Sequence, residues 1–270
     1  MYNSSGGEKV TLVVHSVGGI VSLYFLNDVV SQEWKERYVN AWVTISGAWP
    51  GGNSILQTVI SDPLRLLYRS TESSAWQLPN PSIWGDTVLV TSPNRTYTAN
   101  DYEDLFTDIG YPQMYQMYLG IISINENYTA PRVPIHCMYG VNVSTRESFT
   151  YGNGFGANPT NTTFSDGDGT INLLTSQVCL KWRNEQSEPF SNTTYPGVNH
   201  FQLVADTTVL EAVAEIVGAP MPSPSTMSPT PSSTAESPTP SSAATSVSVN
   251  LPILVGSTAV ILALKFLVFE

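Results

Sequence analysis

Three histidines, an acidic turn and a serine set between an apolar run and two glycines are the residues of this 270-residue chain best suited to bond-making chemistry. Ser16 lies in Val14-His15-Ser16-Val17-Gly18, the form x-H-S-x-G, with Gly19 following. A serine hydroxyl is a weak nucleophile until a base takes its proton, so the motif needs a histidine and an acid that orients it. Downstream, Asp166-Gly167-Asp168-Gly169-Thr170 offers two carboxylates in a polar turn, and Pro196-Gly197-Val198-Asn199-His200 offers an imidazole. These residues suit a nucleophile (Ser16), a base (His200) and an acid (Asp166 or Asp168). The Val17 amide, at a helix start, suits a donor to a developing oxyanion. A calcium loop is another use for the aspartates, but only two acids precede Gly169 and no glutamate follows at the required spacing, so no metal is expected. Nor does the chemistry call for a cofactor. His15 adjoins the serine on a strand whose alternation turns it away from the hydroxyl, and His136 lies inside a strand beside Cys137. Both are read as packing residues.

The elements that must position these groups follow from local pattern. Residues 9–15 (KVTLVVH) are apolar and β-branched on consecutive positions, as in a parallel strand buried on both faces. Ser16 to Gly19 then form a tight turn into a buried helix over residues 20–30. Residues 32–38 are polar enough for a helix exit and loop, and residues 41–46 (AWVTIS) read as the next strand, completing a β-α-β unit. The order Ser, Asp, His with strand, turn and helix around the serine predicts an α/β-hydrolase fold. Small residues usually flank such a serine on both sides; Gly18 and Gly19 supply one side, and Val14 stands on the other.

Five segments are expected. Residues 1–50 form the nucleophile part of the core, and 51–130, with weak periodicity and one helical stretch at 102–109, form an inserted cap. Residues 131–218 return to the core with a strand at 133–139, a Gly- and Asn-rich loop through 163, and a last helix at 201–217. Aromatic residues Tyr102, Phe106, Tyr111, Tyr115 and Tyr118 read as cap core. Residues 219–250, rich in Ser, Thr, Pro and Ala, form a stalk, and 251–270 a hydrophobic anchor or signal. That last stretch suits a glycosylphosphatidylinositol signal or a membrane-spanning helix, with Lys265 fitting both imperfectly.

Composition bounds the partners. Eleven basic against 22 acidic residues give a net charge of −11, so a nucleic-acid backbone has no basic surface to meet. Asn-x-Ser/Thr sequons at Asn3, Asn94, Asn127, Asn142, Asn161 and Asn192 point to the secretory pathway, with a cell-surface, lysosomal or extracellular destination. There the two cysteines, Cys137 and Cys179, suit one disulfide, with two free buried thiols as the alternative. Residues 1–20 lack a secretion signal, an expectation that the N-terminus is incomplete.

Several motifs together resemble the lecithin:cholesterol acyltransferase family, in particular its lysosomal phospholipase A and ceramide transacylase branch. They are His15-Ser16-Val17-Gly18 with Leu23-Tyr24-Phe25-Leu26, Trp34-Lys35, Gly47-Ala48-Trp49-Pro50-Gly51-Gly52 and Ser73-Ser74-Ala75-Trp76. Asp108-Ile109-Gly110, Cys137-Met138-Tyr139-Gly140, Asp166-Gly167-Asp168-Gly169-Thr170 and Gly197-Val198-Asn199-His200 continue the series. The resemblance spans Val10 to about Val217. It implies that Asp168 is the triad acid, that Cys137 pairs with Cys179, and that a phospholipid acyl chain passes through a serine ester to water or a lipid alcohol at a membrane or lipoprotein surface. Gly47-Ala48-Trp49-Pro50 reverses the family's Pro-Trp order. The family also carries strands, a lid and an oxyanion donor before the serine turn, which implies that these are missing here. A catalytically inactive surface protein that keeps the shell as a binding module is the competing expectation.

Overall fold

The computed structural model describes residues 6–124 and 127–219 and the backbone of 259–261. Strand β1 (Val10–His15) leads through Ser16 into α1 (Val17–Tyr24), which continues as a π turn over Phe25–Val29. Residues 32–38 are helical rather than loop: α2 (Gln32–Tyr38) starts at Ser31, whose side chain accepts from the Trp34 amide. Its face toward the core is a lysine, because Lys35 is buried with its Nζ donating to the Pro131 carbonyl at 2.8 Å. A helix so polar gives no apolar period to read. Strand β2 (Val39–Ile45) follows and pairs in parallel with β1.

The stretch after β2 holds six short helices: α3 (Asn53–Ser61), α4 (Arg65–Arg69), α5 (Glu72–Trp76), α6 (Pro81–Trp84), then after two short strands α7 (Tyr102–Asp108) and α8 (Gln113–Ile121). The strands are β3 (Val90–Thr91) and β4 (Thr96–Tyr97). Helices of four to nine residues show too few turns for periodicity, and they persist by packing rather than propensity. Their shared core contains Leu56, Val59, Tyr97, Tyr102, Phe106 and Tyr118.

Strand β5 (Ile135–Val141) returns to the main sheet beside β2. The expected loop after it contains a hairpin, β6 (Thr145–Thr150) and β7 (Asn161–Ser165), and β6 also pairs with β3, giving a second sheet in the order β4-β3-β6-β7. Short α9 (Leu173–Ser176), a 3₁₀ turn at Gln177–Lys181 and α10 (Trp182–Glu185) lead to β8 (Phe190–Pro196). The final helix α11 (Thr207–Val217) begins later than residue 201, because the Asp206 carboxylate caps the Thr208 and Val209 amides, leaving Gln202–Val204 as a separate 3₁₀ turn.

The main sheet is parallel throughout, in the order β8-β5-β2-β1-β9, where β9 (Ala259–Ile261) pairs with β1 at its edge. Its two faces are covered separately. Val13, Val43, Ile45, Met138 and Tyr195 meet Leu203, Val209 and Val213 on the α11 side. Leu23, Trp42, Trp49, Cys137, Tyr139 and Trp182 pack on the other. Burial on both faces explains the unbroken apolar run in β1. This is an α/β-hydrolase fold. The expected stalk (219–250) and the segment 251–270 lie outside the described residues, apart from residue 219 and the backbone of 259–261. Among the described residues no helix is long and apolar enough to cross a membrane.

Cys137 on β5 is bonded to Cys179 in the 3₁₀ turn, closing a span of 42 residues that includes the β6–β7 hairpin and Asp168. Cys179→Ser is expected to lower unfolding free energy by about 3 kcal/mol, through the entropy restored to the unfolded chain. Calorimetry of the wild-type and variant proteins measures it, and equal melting temperatures would contradict it.

Candidate active site

In an open parallel sheet the chemistry collects at the carboxyl ends of the strands, where loops are free to converge. Ser16 ends β1 at φ 56° and ψ −126°, a conformation that strains a non-glycine residue and turns its side chain out of the strand. The surroundings hold the turn: the Ser16 amide donates to Ile45 O at 3.0 Å, while its carbonyl accepts from Gly19 N at 2.9 Å and Ala48 N at 3.3 Å.

Val14 is tolerated because the space is found on the other side. A Cβ at position 18 would stand 3.4 Å from the Val14 Cβ, and one at position 19 only 3.0 Å from the Gly47 Cα and 3.2 Å from the Trp49 indole nitrogen. Gly47 lies closer still, since a Cβ there would meet the Trp49 ring at 2.4 Å. The Gly-Ala-Trp-Pro order thus seats the indole directly against the Ser16 turn.

His200 follows β8. Its Nε2 is 3.0 Å from Ser16 Oγ and its Nδ1 is 2.7 Å from Asp168 Oδ2, although the serine and histidine are 184 residues apart. The main chain adds a further link, with His200 N donating to Asp168 O at 2.8 Å. His200 and Asp168 are buried at 3% and 0% exposure, so water does not compete for the bond between them.

The two acidic candidates separate by their surroundings. The exposed Asp166 accepts from the Asn142 and Gly167 amides at 2.5 and 2.7 Å, which is a turn role. Asp168 accepts from the Thr170 and Ile171 amides at 2.9 and 2.7 Å through Oδ1, leaving Oδ2 for the imidazole. Burial pushes the Asp168 carboxyl up, but the His200 hydrogen bond and charge and the Ile171 amide outweigh it, leaving it below the usual carboxylate range. Gly140 lets β5 pass beneath this loop: a Cβ there would meet Val198 O at 2.4 Å and the Asp168 Cβ at 2.9 Å.

Val17 is the first residue of α1, where an amide has no intrahelical acceptor. His136 pairs with Ser191 Oγ at 2.9 Å across β5 and β8, away from this cluster. His15 differs from the packing residue expected. Its Nε2 is 3.0 Å from the His200 carbonyl oxygen and the two rings are 4.4 Å apart. The alternation that turns it from the serine places it on the Val13 face, where the His200 loop passes. Local pattern could not show that, because the contact joins residues 185 positions apart.

Asn94, Asn127, Asn142 and Asn161 are exposed and Asn192 is half-buried, whereas Asn3 lies outside the described residues. Tyr102, Phe106 and Tyr118 are buried in the core shared by the helices after β2, with Tyr111 and Tyr115 packed against it.

The family model described as Lecithin:cholesterol acyltransferase matches residues 1–129 and 121–207. Among curated proteins, the chain is 34% identical over 232 residues to "Lysosomal phospholipase A and acyltransferase" of Canis lupus familiaris, covering 82% of this chain and 56% of that protein. It is 27% identical over 224 residues to human "Phosphatidylcholine-sterol acyltransferase", covering 78% and 51%. The chain therefore spans about half the length of the curated relatives it matches. A solved structure, "The crystal structure of Tle4-Tli4 complex", superposes with a TM-score of 0.54 at 12% identity, over 80% of this chain and 62% of that one, a likeness of fold. With a family match that takes in the Ser16 turn, the Asp168 turn and the His200 loop, the chain belongs to the lecithin:cholesterol acyltransferase family.

Proposed function

We propose that the protein carrying this chain is a serine-dependent lipid acyltransferase and phospholipase A. The observation that carries this reading is the line of hydrogen bonds from Ser16 through His200 to the buried Asp168. In the first half-reaction Ser16 Oγ attacks a phospholipid ester carbonyl as its proton passes to His200 Nε2. Asp168 holds the proton on Nδ1 and stabilises the imidazolium. The Val17 amide donates to the carbonyl oxygen as it becomes an oxyanion, and collapse expels the lysophospholipid alcohol, which takes the proton back from His200. Water or a lipid alcohol then gives its proton to His200 and attacks the serine ester; collapse breaks the bond to Ser16 Oγ, which takes that proton back, and a fatty acid or a new lipid ester is released.

The names of the relatives, a phospholipase A and acyltransferase and a phosphatidylcholine-sterol acyltransferase, support the substrate class. Phe201 supports it independently, since it is 61% exposed, with its ring edge-on to His200 at 5.4 Å, and places apolar surface at the reacting groups. The exposed sequons, the disulfide and the lysosomal name of one relative support a secretory route, with action at a membrane or lipoprotein surface. Residues 51–130 serve in this reading as the cap over the core.

A serine-reactive fluorophosphonate probe tests the reading. Wild-type protein is expected to label, Ser16→Ala to lose all labelling, and labelled protein to be unable to release fatty acid from phosphatidylcholine vesicles. A folded wild-type protein that does not label would favour the inactive binding module.

A further inference from the structure

The nucleophile turn carries a histidine that the Ser16, His200 and Asp168 relay does not use. His15 Nε2 faces the His200 carbonyl oxygen at 3.0 Å, and its ring tilts 38° against the His200 ring with 4.4 Å between centroids. A carbonyl only accepts, so the proton sits on His15 Nε2 and the neutral ring leaves Nδ1 bare. His200 is thereby fixed at four points. Asp168 takes its ring Nδ1–H through the carboxylate and its amide through the main-chain carbonyl. Ser16 meets its ring Nε2, and His15 meets its carbonyl. The last two contacts come from consecutive residues, the end of β1 and the strained Ser16.

We infer that His15 is a positioning residue for acyl transfer: its Nε2–H ties the main chain of His200 to the nucleophile turn, so that nucleophile and base keep one spacing through both half-reactions. The inference rests on the proposed function. The titratable groups acting on His15 are His200 and Asp168. Burial first, then the neighbouring His200, lower His15 to about 4, against the opposing pull of the carbonyl bond and Asp168. At neutral pH the tether is therefore uncharged, and the imidazolium that forms on His200 meets no second cation.

Two variants separate positioning from packing. His15→Phe keeps a ring of similar size and loses the donor, whereas His15→Gln loses the ring and keeps an N–H donor. On phosphatidylcholine vesicles, His15→Phe is expected to lower kcat about tenfold, the effect of one neutral hydrogen bond, at unchanged KM. Its fluorophosphonate labelling should slow in parallel, and His15→Gln should recover most of both. Wild-type rates in a folded His15→Phe would overturn the inference while leaving the proposed function intact. So would a tenfold loss in His15→Gln at wild-type melting temperature, a result that stands even if the Phe variant does not fold. Absence of labelling in the wild type would sink both proposals.

Stability gives a reading that needs no activity. Below pH 6.5 the unfolded chain protonates His15 while the folded chain does not until about pH 4, so stability falls as pH drops through that window. His15→Gln is expected to flatten that slope, and an unchanged slope would contradict the half-buried, neutral tether.

Discussion

Asp168→Asn is expected to lower kcat for acyl transfer by about 10⁴-fold with little change in phospholipid affinity. The size follows from which atoms are already engaged. The Thr170 and Ile171 amides donate to Oδ1, so an asparagine there keeps its carbonyl oxygen on them and turns its NH₂ toward His200 Nδ1. A donor facing Nδ1 forces that nitrogen to accept, which moves the imidazole proton to Nε2. Nε2, 3.0 Å from Ser16 Oγ, then can no longer take the serine proton. The substitution is nearly isosteric and satisfies the same amides, so the fold should survive and the loss should read as chemistry. The rate of acyl-enzyme formation in a single turnover measures it directly, and a loss of less than about tenfold would remove Asp168 from the relay. Wild-type Asp168, held below the usual carboxylate range, stays charged as pH falls through the ordinary carboxylate window. The stability it contributes is present above its unfolded value and disappears only as pH falls through the lower folded one, whereas Asp168→Asn lacks that acid transition.

Trp182→Ala should be among the most destabilising single changes in the chain, at about 4–5 kcal/mol. Trp182 is fully buried and packs on Trp42 and Trp49, with ring centroids 5.5 and 5.0 Å away. Its indole N–H donates to Tyr128 O at 2.6 Å, a buried carbonyl that the alanine would leave unpaired. Trp49 lies against Gly47 and Gly19, so the cavity opens next to the nucleophile turn. The variant is therefore expected to lose labelling of Ser16 below its melting temperature as well as melting about 10 °C lower, at the usual scale for a domain of this size. Denaturant unfolding, followed by the remaining tryptophans, checks the free energy. A change under about 1 kcal/mol would mean that the three rings do not form one core.

Strand β1 and the turn after it were legible because their signals are local: β-branched apolar residues on consecutive positions, then glycines. The same holds for β2 and β5, whose runs mark strands covered on both faces. Helix α2 was not legible, since its stability comes from a Ser31 cap and from a lysine reaching a carbonyl almost a hundred residues away. Helix α7 was legible at 102–109, but the other small helices after β2 and the β6–β7 hairpin were hidden for a related reason. Each is too short to show a period, and each stands by packing on a core assembled from distant segments.

At the site, sequence alone determined which residue types were available and their order along the chain, because a serine turn, an acidic turn and a histidine loop each carry a local signature. It also determined the acidic composition and the family resemblance. Only the tertiary structure decided which carboxylate is buried against the imidazole, why Val14 is accommodated, and that His15 touches His200. Those outcomes depend on distances between segments that are not neighbours along the chain, 32 residues apart for Asp168 and His200 and 185 for His15 and His200. They are set by how closely glycine backbones let strands, turn and loops approach, and no local pattern encodes that.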